Sequence, residues 1–124
     1  MSNPPLLVKL DDLETYSPPL HSGTVNRRLV EASLGAGMEV VHGTIEPGGA
    51  GHRHQHDKEW QMILLLEGQG RLELGDAAPE IITAGTVVRI PPRTPHLFEV
   101  TGNAPAKVLV IYSPPLGENG FVPA

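Results

Sequence analysis

Short apolar runs, broken at close intervals by glycine and proline, set the pattern of this chain. Eight segments have the composition of β-strands: 27–32 (RRLVEA), 38–46 (MEVVHGTIE), 60–67 (WQMILLLE), 69–74 (QGRLEL), 80–83 (EIIT), 86–90 (TVVRI), 96–100 (HLFEV) and 106–112 (AKVLVIY). Turn formers stand between them, at Pro47-Gly48-Gly49, Gly75-Asp76, Ala84-Gly85, Pro91-Pro92 and Gly102-Asn103. No stretch of about 12 residues repeats its apolar positions at the helical period. Residues 9–16 (KLDDLETY) could make a short turn of helix, limited by the Pro-Pro pairs on either side. Strands at this spacing predict an all-β fold: a sandwich, a jelly roll or a barrel.

In segment 60–67 alternate residues face opposite ways. Gln61, Ile63 and Leu65 share one face, and Trp60, Met62, Leu64 and Leu66 share the other. A strand apolar on both faces is expected to be covered on both, here by the barrel interior and by another sheet or subunit. A homodimer is the partner this predicts. The first 20 residues are expected to run extended across the barrel or a partner. Residues 113–124 read as a tail outside the core, loose or with Phe121-Val122 docked on a neighbour.

The 124 residues allow one domain, with barrel residues 23–115 between an N-terminal segment (1–20) and a tail (116–124). Apolar residues make up 40 % and charged residues 19 %, which fits a globular chain and excludes disorder. The net charge of −5, scattered Lys and Arg and 4 % aromatics exclude a phosphate-binding face or a base-stacking platform, so no nucleic acid is expected. No apolar run approaches the roughly 18 residues of a membrane span, and the N-terminus lacks the pattern of a signal peptide. With 0 cysteines, disulfide and thiolate chemistry are excluded, and a cytoplasmic location is expected.

Residues 52–61 read HRHQHDKEWQ, placing three of six histidines at positions 52, 54 and 56. On an extended strand these share a face, and two imidazoles so placed can clamp one ion if further ligands arrive from elsewhere. The same pattern also suits a solvated edge strand.

The surrounding residues resemble the cupin superfamily. Its first motif, G-x5-H-x-H-x(3,4)-E-x6-G, is matched by Gly48, His54, His56 and Gly68, with Gln61 in the glutamate place. Its second, G-x5-P-x-G-x2-H-x3-N, is matched by Gly85, Pro91 and His96, with Arg93 in the glycine place and Val100 in the asparagine place. A rival frame on His52, His54 and Glu59 would need glycines where Glu46 and Leu66 stand. In that rejected frame Glu59 would be a ligand; here it becomes a surface or turn charge, and His52 a rim residue.

The resemblance implies a jelly-roll (double-stranded β-helix) barrel holding one divalent ion through His54, His56, Gln61 and His96. Zinc, iron, nickel, manganese and copper all accept imidazole. Gln61 is neutral, so the ion would keep its full charge for Lewis-acid work or activation of water. Alternatively Gln61 has lost ligation and three histidines remain. Ile63, Leu65, Phe98 and Val100, with Leu109 or Ile111, are candidate pocket walls, and His42, Thr44 and Arg89 candidate polar groups. The expected function is a metal-dependent enzyme (dioxygenase, cyclase, isomerase or lyase) acting on a small oxygenated molecule. The alternatives are a non-catalytic binding or sensing module and a structural dimer with a vestigial site.

Overall fold

A computed structural model of the chain describes residues 5–116 and 120–124. Ten strands run through these residues: β1 (Thr15–Tyr16), β2 (His21–Val30), β3 (Glu39–Gln55), β4 (Trp60–Glu67), β5 (Gln69–Leu74), β6 (Glu80–Thr83), β7 (Val87–Ile90), β8 (His96–Val100), β9 (Ala106–Ser113) and β10 (Val122–Pro123). The only helical pieces among the described residues are single 3-10 turns at Leu10–Asp12 and Ala32–Leu34. No described helix is long and apolar enough to cross a membrane. All strand pairs are antiparallel, and the main path runs β6-β5-β8-β3-β9-β4-β7. The sheet curls on itself as a jelly roll, around a core that includes Val41, Ile45, Leu65, Leu72, Ile90, Val100 and Val108.

β3 holds the two halves of this sheet together. Its first part, Glu39 to Ile45, pairs with β9, and its second, Ala50 to His54, pairs with β8. Between them, where the pattern predicts a turn at Pro47-Gly48-Gly49, the strand bends and continues. The partner register jumps from Thr24↔Ile45 to Ser22↔Ala50, so Glu46 to Gly49 bulge out of the ladder. Pro47 is tolerated there because its missing N–H leaves no ladder bond unmade. Gly48 takes a left-handed φ of 80°, and a Cβ on Gly49 would lie 2.8 Å from the Ser22 carbonyl oxygen.

The strand placed at 27–32 begins at His21 and ends at Val30, because β2 follows β3 from Val40 across the bend to Gly51. Within residues 9–16 the expected short helical turn forms as one 3-10 turn at Leu10–Asp12, and Thr15–Tyr16 pairs with β2 of the barrel. At the end of the tail, Val122 and Pro123 pair with Gln55 and His54 of the same chain, whereas residues 117–119 of that tail lie outside the described residues.

The motif glycines Gly48, Gly68 and Gly85 all have left-handed φ angles, of 80°, 86° and 92°. Arg93, in the fourth glycine place, has the same conformation at φ 59°. Its N–H donates to the His56 carbonyl at 2.7 Å, which ties the turn before β8 to the end of β3. The backbone shape is therefore kept without the residue that suits it. Left-handed φ costs a side-chain-bearing residue roughly 1–2 kcal/mol, and glycine's extra unfolded-state freedom returns about 0.5–1 kcal/mol of that. Arg93 is exposed, with little packing to lose. Arg93→Gly is expected to stabilise the protein by about 0.5–1 kcal/mol, read as a higher urea midpoint at constant slope. A lower midpoint would show that the arginine side chain contributes more than its strain costs.

Candidate metal centre

His54 lies near the end of β3 and His56 just beyond it, on the same side of the extended chain. His96 opens β8 directly opposite His54 in the ladder, and Gln61 is the second residue of β4. Sheet register thus brings four side chains from three segments to one place. All four are buried, with exposures of 3 % (His54), 2 % (His56), 6 % (Gln61) and 3 % (His96). Ligand nitrogens of the three histidines lie within 4.8 Å of one another, so this buried group can hold a metal ion.

The outer ring nitrogens are all engaged. Nδ1–H of His54 donates to the His52 carbonyl at 2.6 Å, that of His96 to the Thr94 carbonyl at 3.0 Å, and that of His56 to the Gly120 carbonyl at 2.6 Å. A carbonyl oxygen can only accept, so each Nδ1 carries the hydrogen and each Nε2 a bare lone pair. The Gln61 amide N–H donates to the Tyr112 hydroxyl at 3.4 Å. What remains is Nε2 of His54, His56 and His96 and Oε1 of Gln61, all buried and all without a hydrogen-bond partner among the described residues. Burial holds the imidazoles neutral. Desolvation, helped by the adjacent His96, pushes His54 down to about 3; desolvation pushes His96 down to about 4 and lowers His56 as well.

Beside these groups lies a cavity of about 60 Å³. Its walls are mainly apolar, from Val41, Ile45, Ile63, Phe98, Val108 and Val110, with His21, Thr24, Asn26, Tyr112 and Phe121 also facing it. Of the pocket residues expected from sequence, Ile63 and Phe98 line this cavity. Leu65 and Val100 do not; both belong to the closed core. His42 and Thr44 alternate with the core-facing Val41, Gly43 and Ile45, so they sit on the outer face, where His42 lies opposite Leu109. The same alternation puts Leu109 and Ile111 outside and makes Val108 and Val110 the wall residues. Arg89 is exposed. His52 is exposed at the rim, whereas Glu59, expected at the surface, is buried at 5 % and accepts from the Lys58 N–H at 3.3 Å. Its carboxylate is not part of the three-histidine group.

Tyr112 and His21 were not singled out from sequence, and Phe121 was read only as part of a tail, not of the site. Tyr112 could have been, because it continues the inward series Ala106, Val108, Val110. His21 precedes the segment read as a strand, and Phe121 follows a run with no strand signal.

A family model described as a cupin domain matches residues 41–112. The chain belongs to the cupin family. An uncharacterized protein of Methanocaldococcus jannaschii is 30 % identical to this cupin over 95 residues, covering 75 % of each chain. Among solved structures, the polyketide cyclase RemF of Streptomyces resistomycificus superposes with a TM-score of 0.74 at 25 % identity, over 86 % of this chain and 78 % of that one. A predicted oxalate decarboxylase of Thermotoga maritima gives a TM-score of 0.77 at 20 % identity, over 87 % and 98 % of the two chains. An ectoine synthase from P. lautus gives 0.76 at 18 %, over 96 % and 89 %.

The lowered histidines fix the sign of a pH effect. Unfolded imidazoles take up protons below about pH 6.5, whereas folded His54 and His96 stay neutral down to about 3 and 4. In that interval the unfolded state binds more protons, so stability falls as pH falls, by about 1.4 kcal/mol per pH unit for each such group. Metal-free protein is expected to lose thermal stability steadily from pH 6.5 to pH 4. His96→Ala should flatten the slope; an unchanged slope would mean that His96 is not held neutral.

Proposed function

We propose that this cupin is a metal-dependent enzyme that acts on a small oxygenated organic molecule, with one divalent ion held by His54, His56, Gln61 and His96. The observation that carries the reading is the set of four buried, unpartnered acceptor atoms. Each would cost about 1–3 kcal/mol if left unsatisfied, and a single cation answers all four. Four neutral donors leave the ion its full charge, which supplies Lewis-acid polarisation of an oxygen or a bound water of lowered pKa. Around that point the chain's own groups do the selecting. Ile63, Phe98, Val108 and Val110 offer an apolar bed, and Thr24, Asn26 and Tyr112 offer polar contacts. The likeness to a polyketide cyclase, at 25 % identity, favours catalysis over a binding or sensing module; the less similar structures speak for the fold alone. Zinc, iron, nickel, manganese and copper all suit the imidazole donors.

Protein purified without an affinity tag is expected to carry about one divalent ion per chain by elemental analysis, and His54→Ala and His96→Ala are each expected to lose it. Stoichiometric metal in both variants would sink the site. Gln61→Glu should hold metal more tightly and raise the pH at which bound water ionises, because the added charge makes the ion a poorer Lewis acid. The Tyr112 hydroxyl can turn to donate to the new carboxylate. Gln61→Ala should loosen the metal modestly and less than His54→Ala does. Equal affinities in wild type, Gln61→Glu and Gln61→Ala, measured against a competing chelator, would leave a three-histidine site.

The same proposal includes a homodimer. Trp60, Leu66 and Val87 are 54 %, 41 % and 51 % exposed on neighbouring strands β4 and β7, with Met62 and Leu64 half-buried between them. A second copy would cover this strip. Light scattering at micromolar concentration should give twice the chain mass, reduced to one by Leu64→Glu; a monomeric wild type contradicts the dimer.

A further inference from the structure

We propose that the C-terminal strap is a working part of the metal centre: the Gly120 carbonyl sets the orientation of His56, and Phe121 closes over the imidazoles. This rests on the metal reading above. The three site histidines are not held alike. The acceptors for His54 and His96 lie two residues earlier in the same extended segments, so they arrive with the ligands themselves. The acceptor for His56 comes from Gly120, 64 residues further along the chain. His56 is therefore the one ligand whose outer nitrogen depends on a distant segment staying in place.

That segment is laid directly along the metal-binding part of β3. Val122 pairs with Gln55 and Pro123 with His54, and the Ala124 N–H donates to the Arg53 carbonyl at 3.3 Å. Gly120 is buried. The Phe121 ring packs against three imidazoles, with centroid distances of 5.7 Å to His21, 5.3 Å to His54 and 5.2 Å to His56. Three separate contacts, a hydrogen bond, a strand pairing and a ring cluster, thus converge on two candidate ligands.

The consequence follows from imidazole chemistry. With the carbonyl in place, the hydrogen sits on Nδ1 and the Nε2 lone pair faces the ion. Without it, the ring is free to turn, or to carry its hydrogen on Nε2, where it blocks coordination. Loss of such an outer partner lowers metal affinity by roughly 10–100-fold. Phe121 adds to this by packing apolar surface beside the ring, where a low local dielectric strengthens the His56–Gly120 hydrogen bond.

The test uses cobalt(II), with affinity read against a chromogenic chelator and coordination read from the visible spectrum. A chain ending at Asn119 is expected to bind cobalt about 10–100-fold more weakly than the full chain, with an altered spectrum. With cobalt raised until a His56→Ala variant binds, the same truncation should cost far less, whereas in a Gln61→Ala background, which keeps all three imidazoles, the loss should persist. An equal loss in both backgrounds would show that the strap acts by packing alone and overturns the proposal, as does a truncated chain that binds like wild type. Should the shortened chain fail to fold, Phe121→Ala in the full chain decides: weaker binding with a shifted spectrum supports the strap, and unchanged affinity and spectrum overturn it. If the wild-type protein itself takes up no divalent ion, the metal reading falls and the strap's role with it; normal wild-type binding with an indifferent strap removes only this inference.

Discussion

Each imidazole of the candidate centre spends one nitrogen on a backbone carbonyl, and the rest of the site depends on that constraint. The carbonyl fixes which nitrogen carries hydrogen, the hydrogen fixes which lone pair points inward, and burial keeps the ring neutral so that the lone pair remains available. For His54 and His96 the acceptor is the carbonyl two residues back. Extended backbone delivers that acceptor wherever the strand is in register, so the orientation of these ligands follows from the sheet itself. Gln61 reaches the same result through a side chain: its amide N–H is occupied by Tyr112, which leaves the oxygen free.

Chemistry and pocket meet because one strand serves both halves of the barrel. The part of β3 paired with β9 contributes Val41 and Ile45 to the cavity wall, and the part paired with β8 contributes His54. The bulge from Glu46 to Gly49 sets the angle between these parts, and so the position of the ligands relative to the apolar bed. Glycines accumulate where the chain must turn sharply or pass close to backbone. Gly48 meets the first need and Gly49 the second. At Arg93 the chain accepts backbone strain to keep the same course, and the N–H it presents to the His56 carbonyl couples the two ligand-bearing segments.

Much of the barrel was legible because turn formers and alternation carry physical meaning at short range. Strands β4, β5, β6 and β8 fall where the pattern places them, and the glycine positions of the cupin motifs favoured the frame of His54, His56 and Gln61 over that of His52 and Glu59. What failed did so for identifiable reasons. A Pro-Gly-Gly run reads as a turn, and only pairing on both sides of the bulge shows that the strand continues. Parity counted within β9 points either way until the core side is known, so Leu109 and Ile111 were exchanged for Val108 and Val110. His42 was misplaced by the same ambiguity on β3. Glu59 carries a charge and precedes a strand, which suggests the surface, yet the fold buries it. The contact between Gly120 and His56 had no local signal at all, because it joins segments that only the closed barrel brings together.

The donor set and the cavity walls act in the same direction. Three neutral imidazoles and an amide oxygen cancel none of a cation's charge, and walls of valine, isoleucine and phenylalanine provide little dielectric screening. A charge in such surroundings acts on a neighbouring dipole or anion more strongly than it would in water. An ion bound here would thus attract the oxygen of a ligand and stabilise negative charge developing on it, while the apolar bed takes up the hydrocarbon part. A carboxylate in place of Gln61 would hold the ion better and polarise less. In the proposed four-donor set the neutral residue would exchange affinity for electrophilic strength, and the backbone support of each imidazole would offset the weaker fourth donor.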